Sequence, residues 1–159
     1  MWEPCTCKDN ITSISRIFYA CSNLTSVDYN TFQDMPDLIT AIGAFGASSK
    51  IKFVGGDTDE FSIFNNCNSL ENINWIFYNT SSEQVCPRGN SFTNQHLTSF
   101  LSSMPTIKQA QFAFVGCRFI TDLPQYGLLS ANTQLEKAIG MFANCVSINC
   151  ELPKKLLRE

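Results

Sequence analysis

Eight cysteines and one histidine are the side chains of this 159-residue chain best suited to chemistry. The cysteines stand at 5, 7, 21, 67, 86, 117, 145 and 150. "CTC" at 5–7 is the best candidate for metal or redox work. A zinc site needs four ligands, usually from two paired motifs. The chain has no C-x-x-C, and His96 is its only histidine. Cys5 and Cys7 therefore read as part of an N-terminal cap, with or without a disulfide. A cysteine nucleophile needs a base and an orienting group. Cys86 and His96 lie ten apart, with Asn90 and Asn94 between them, but no catalytic signature surrounds them. A polar loop is the plainer expectation. Cys86 and Cys150 are left open between a disulfide and free thiols.

Asp57, Asp59 and Glu60 follow Gly55-Gly56. They lack the twelve-residue loop of a calcium hand, so a turn of solvated acids is expected, with a weak cation site as the alternative. Neither a phosphate loop nor a dinucleotide fingerprint occurs. Asn-x-Ser/Thr occurs at Asn10, Asn23 and Asn79, a short and common motif. Asn23 falls in the repeat described below. No catalytic, metal or cofactor residue is assigned, and no cofactor is expected.

The elements that must position any such residue come from composition and pattern. Charged residues make up 16%, hydrophobic ones 44%, and phenylalanine occurs 13 times. Such a chain can bury a core. The formal charge of -3 lacks the basic face of a nucleic-acid binder. Lys154, Lys155 and Arg158 form the only basic cluster. The start lacks the basic and apolar regions of a signal peptide. No run of 18 apolar residues exists, so no membrane insertion is expected.

The pattern is a repeat. F-x-x-C-x-x-[LI]-x-x-[VIL] occurs at Phe18-Cys21-Leu24-Val27, Phe64-Cys67-Leu70-Ile73 and Phe114-Cys117-Ile120-Leu123. Phe142-Cys145-Ile148 keeps three positions, and Phe45-Ser48-Ile51-Val54 has serine for cysteine. Cys21, Cys67, Cys117 and Cys145 thus read as one position that forms a buried column. A second pattern, [LI]-x-x-[AI]-x-x-x-F, starts at 11, 38, 70, 107 and 135. Those starts are 27, 32, 37 and 28 residues apart. A period near thirty implies stacked units. The spacing of three, four and seven predicts a short helix. The tails ending at Val27, Ile73 and Leu123 predict short strands, closed at Leu123 by Pro124. The expected fold is an α/β repeat solenoid, leucine-rich-repeat-like, with about five turns of short helix plus short strand.

"IFYACSNLTSV" (17–27), "IFNNCNSLENI" (63–73) and "MFANCVSINCELP" (141–153) resemble the BspA-like leucine-rich repeats and their shorter relatives in bacterial and phage surface proteins. That resemblance implies a structural or adhesive role at a cell or particle surface, and no catalytic residues. The expected organisation is a cap over 1–10, a solenoid over 11–153, and a cap or truncation point over 154–159. Insertions fall at about 55–63 and 79–100. The expected repeat core is Phe18, Cys21, Leu24, Val27, Phe45, Phe64, Cys67, Leu70, Phe77, Phe114, Cys117, Ile120, Phe142 and Cys145. Pro87, Arg88, Asn90 and His96 form a candidate contact loop in the second insertion.

The expected function is a non-enzymatic component of a phage virion (tail, fibre or capsid decoration) or a similar surface assembly. The alternative is a bacterial surface adhesin module that binds host protein or glycan. A cysteine-dependent enzyme stands third. Expected partners are proteins of a larger assembly, or surface protein or glycan, with an oligomer open. The expected location is the virion or extracellular surface.

Overall fold

The computed structural model describes residues 8–55, 60–80 and 92–150. Among them are two short strands, β1 (Val27–Asp28) and β2 (Phe53–Val54), and one helix, α1 (Asn94–Ser102). The strands run parallel, Val27 opposite Phe53 and Asp28 opposite Val54. This overturns the leucine-rich-repeat-like solenoid of about five helix-plus-strand turns. The five stretches expected as helices are runs of turns. Of the expected strand tails, Val27 lies in a strand, whereas Ile73 and Leu123 do not. The one helix falls where a polar insertion was expected. The proposed terminal caps, 1–10 and 154–159, lie almost wholly outside the described residues.

Hydrogen bonding explains the missing helices. In the segment 14–21, the N–H groups of Ile14, Arg16, Phe18 and Ala20 donate to the carbonyls of Thr40, Ile42, Ala44 and Gly46 in the next segment. The intervening Ile17, Tyr19 and Cys21 donate three residues back, to Ile14, Arg16 and Phe18. An α-helix needs its N–H groups to reach four residues back along the same segment. Here alternate groups leave sideways instead. Four parallel single bridges mark the same pairing: Ser13 with Thr40, Thr40 with Asn72, Asn72 with Gln109, and Gln109 with Lys137. These positions are separated by the 27, 32, 37 and 28 residues that separate the sequence copies.

Each segment bends through two left-handed residues four apart. They are Arg16 and Ala20, Gly43 and Ala47, Trp75 and Asn79, Phe112 and Gly116, and Gly140 and Asn144, with φ between 51° and 72°. Ala41, Ala44, Phe45 and Ser48 then turn inward and are buried, as are Ile73, Ile76, Phe77 and Thr80. Spacings of three, four and seven are thus produced by a backbone that is not helical.

The inward phenylalanines form a column. Phe18, Phe45, Phe77, Phe114 and Phe142 stack in order, with centroids 6.3, 5.3, 5.9 and 5.4 Å apart. The carbonyl of each of the first four accepts a side-chain hydrogen from the following segment. Ser48 Oγ donates to Phe18, Thr80 Oγ1 to Phe45 at 2.9 Å, Cys117 Sγ to Phe77 at 2.9 Å, and Cys145 Sγ to Phe114 at 2.9 Å. The row is therefore Cys21, Ser48, Thr80, Cys117 and Cys145. Cys67 does not belong to it, which corrects the single column of four cysteines. Its thiol donates to Phe32 at 3.0 Å, in a second row where Asn132 Nδ2 donates to Leu101 at 2.8 Å. Val27, Phe45, Phe64, Cys67, Leu70, Phe77, Phe114, Cys117, Ile120 and Cys145 are buried. Phe18, Cys21, Leu24 and Phe142 are half-buried, in the first and last segments.

Helix α1 closes over this column. Thr93 caps it: its N–H donates to His96 Nδ1 at 3.0 Å, and its Oγ1 accepts from the His96 N–H at 3.4 Å. Leu97, Phe100 and Leu101 are buried beneath it. Phe100 reaches Phe77 and Phe114, at centroid distances of 5.6 and 5.9 Å.

Two predictions follow from this backbone. Thr80→Val keeps the shape but leaves the Phe45 carbonyl one donor short, and should cost about 1–2 kcal/mol. Thr80→Ser keeps the donor and should cost less than about 1 kcal/mol. Equal losses in urea unfolding would show that the donor does not matter. Gly43→Ala meets only ordinary contacts, the nearest at 3.6 Å, so its cost of about 1–2 kcal/mol is backbone strain alone. Gly140→Ala should cost more, because its Cβ would lie 2.5 Å from the Phe112 ring.

Candidate functional site

The thiols of Cys67, Cys117 and Cys145 are buried and donate to backbone carbonyls. Burial pushes Cys67 and Cys145 above the ordinary thiol range, and Cys117 well above it. A raised thiol is a poor nucleophile near neutrality, because the thiolate is the reactive form. Cys21 and Cys150 are free and half-buried. Cys5, Cys7 and Cys86 lie outside the described residues. Among the described residues, no group of three or more His, Cys, Asp or Glu side chains could hold a metal ion.

The candidate contact loop is corrected at His96. It is 5% exposed, within α1, with Nδ1 taken up by the cap. Its ring lies beside Phe92, 5.8 Å between centroids. Pro87, Arg88 and Asn90 lie outside the described residues, as do Asp57 and Asp59. Asn10, Asn23 and Asn79 are all exposed, so Asn23 is not a core position.

A site with ligand-sized geometry and aromatic walls lies on the outward side of the segments. A cleft of about 280 Å³ is lined by Arg16, Tyr19, Ile42, Gly43, Trp75 and Tyr78. Three successive segments build it. Arg16 and Tyr19 come from the first, Ile42 and Gly43 from the second, and Trp75 and Tyr78 from the third. Gly43 occupies a left-handed position where its neighbours carry Arg16 and Trp75. Its missing side chain opens the notch. Gly46 has a related role: a Cβ there would lie 2.9 Å from Tyr19 Cε2, so glycine lets the tyrosine ring lie close across this segment.

The far wall is a supported aromatic group. Trp75 stacks on Phe112 at 4.5 Å and meets Tyr78 edge-on at 5.2 Å. Phe112 in turn lies against Gly140. Trp75 and Phe112 both have left-handed backbones, with φ of 61° and 54°. Bulky residues are rarely found there, at a cost of about 1–2 kcal/mol each. Tyr19 and Trp75 remain 43% and 39% exposed despite this packing. Arg16 has no hydrogen-bond or ion-pair partner for its guanidinium among the described residues.

Sequence reasoning passed over these residues because they stand outside the conserved-looking apolar pattern of the copies. A signal was present. Aligning the copies sets Arg16, Gly43, Trp75, Phe112 and Gly140 in one column, which mixes glycine with large side chains.

The thiols carry a pH prediction. Folded-state values above the unfolded value mean that unfolded chains lose their thiol protons first as pH rises. Stability contributed by Cys67, Cys117 and Cys145 is therefore full below about pH 8.5 and declines above it. The limiting slope is about 1.4 kcal/mol per pH unit for each thiol. Urea midpoints from pH 7 to 10 test this, with Cys117→Ser flattening the decline. Under native conditions, Cys21 and Cys150 should react with a thiol reagent before these three.

No helix among the described residues is long and apolar enough to cross a membrane. No family model, curated protein or solved structure matches the chain.

Proposed function

We propose that the chain is a non-enzymatic interaction protein, a rigid scaffold serving as a component of a phage virion or a similar surface assembly. Its setting is the virion or extracellular surface, and its partners are proteins of that assembly. The observation that carries this reading is the outward strip running from Arg16 and Tyr19 across Gly43 to Trp75, Tyr78 and Phe112. An aromatic side chain left exposed at a strained backbone position, as Trp75 is, suits recognition better than stability. The surface-protein-like sequence motifs support the assembly setting. The buried, protonated thiols support a structural role for the cysteines.

A second reading is an adhesin module that binds a glycan. The open cleft beside Trp75 favours it, because sugar rings pack on exposed aromatic faces and hydrogen-bond at their rims.

Light scattering after size exclusion tests the first reading. A defined oligomer is expected, and it should dissociate in Tyr19→Ser/Tyr78→Ser. Val146→Ser, at a site 77% exposed, should leave both assembly and stability unchanged. A monomer at every concentration would favour the second reading. An activity abolished by Cys86→Ala would overturn the non-enzymatic conclusion.

A further inference from the structure

The geometry points to an acidic sugar as the ligand of the Arg16–Tyr19–Gly43–Trp75–Tyr78 cleft: a pyranose ring bearing a carboxylate. This rests on the glycan reading and narrows it. Three independent features converge. The first is shape. The notch over Gly43 holds about 280 Å³, near the lower end of small-ligand pockets, which suits a single ring better than a folded surface. The second is its walls. Tyr19 and Trp75 face into one notch from the first and third segments, and a flat ring with apolar C–H faces can lie against either. Trp75 is held by Phe112 at 4.5 Å, so its position is set before any ligand arrives.

The third feature is charge. The Arg16 side chain runs beside the notch floor, its Cγ 3.6 Å from where a Gly43 Cβ would stand. Its guanidinium is unpaired among the described residues. Among the described residues, no acidic side chain lines the cleft. A planar guanidinium binds a carboxylate through two parallel hydrogen bonds, which fixes orientation as well as charge. A neutral sugar would leave that cation unused. An aliphatic acid would leave the aromatic walls uncovered. A ring carrying a carboxylate satisfies both.

The test compares methyl β-glucuronide with methyl β-glucoside, which differ in the carboxylate that replaces a hydroxymethyl group. Binding to the whole chain is followed by NMR on the Trp75 indole and Arg16 side-chain N–H signals. The glucuronide should shift both sets, and the glucoside should bind about tenfold more weakly, the loss of one charge-assisted contact. Arg16→Gln should erase that difference. Trp75→Gly should abolish binding of both sugars, and glycine suits the left-handed backbone at 75. Tyr19→Leu provides a second wall variant that preserves bulk, and it should weaken both sugars.

Equal affinity for the two sugars in the unaltered chain would overturn the acidic assignment and leave the glycan reading standing. Failure of either sugar to move the Trp75 signal at tens of millimolar would overturn both. Trp75 shifts that depend on protein concentration alone would assign the cleft to a second copy of the chain, and so overturn the proposal.

Discussion

The carbonyl of each column phenylalanine is the acceptor on which the remaining structure depends. At Phe45, for example, the oxygen accepts the Ser48 N–H from its own turn and the Thr80 hydroxyl from the following segment. The first bond closes the turn, and the second joins neighbouring segments. Only a small side chain with a hydrogen to give can fit beneath the stacked rings. That requirement admits serine, threonine and cysteine at one row of positions. It also explains why buried thiols recur along this row. The phenylalanine rings stack in the same register. Side chains outside the row add breadth: Phe32, Phe53, Phe61, Phe64 and Phe100 fill the space beside the column.

Much of the interior was legible in the sequence, although its backbone was not. Phe45, Phe77 and Phe114 were recognisable from their spacing, and so was the register between copies. The period of three and four pointed to helices because helices place side chains that way. Consecutive turns punctuated by left-handed residues achieve the same inward spacing. Arg16, Trp75 and Phe112 at left-handed positions gave no compositional warning, since glycine or asparagine is expected there. The cap on α1 was hidden for a related reason. A histidine nitrogen fills the place usually taken by glutamate or glutamine. Cys67 was misplaced because its local motif matches the others, whereas its acceptor, the Phe32 carbonyl, lies in a different row.

The outward side obeys another rule. Inside, each residue type answers a packing or hydrogen-bond need that recurs in every segment. Outside, the corresponding positions differ widely: arginine, glycine, tryptophan, phenylalanine and glycine succeed one another along one line. Identical backbones thus present unlike side chains at fixed intervals. A glycine beside a tryptophan creates relief that two tryptophans or two glycines would not. The cleft is a local contrast in side-chain size on an otherwise uniform frame. Its candidate chemistry was therefore illegible from any single copy, and became apparent only when neighbouring segments were set side by side.

The sideways hydrogen bonds also give the stack a direction. Along its main line, N–H groups of each segment point to the next. The closing segment offers the N–H groups of Ala138, Gly140, Phe142 and Asn144 without a backbone acceptor among the described residues. The opening segment offers the carbonyls of Ser15, Ile17 and Tyr19 without a backbone donor among them. Along these positions the two ends are opposite in kind, like the poles of a magnet. Copies that met through these groups could not do so about a two-fold axis, which would set like against like. They would join pole to pole, and such contacts either close into a ring or continue as a fibre.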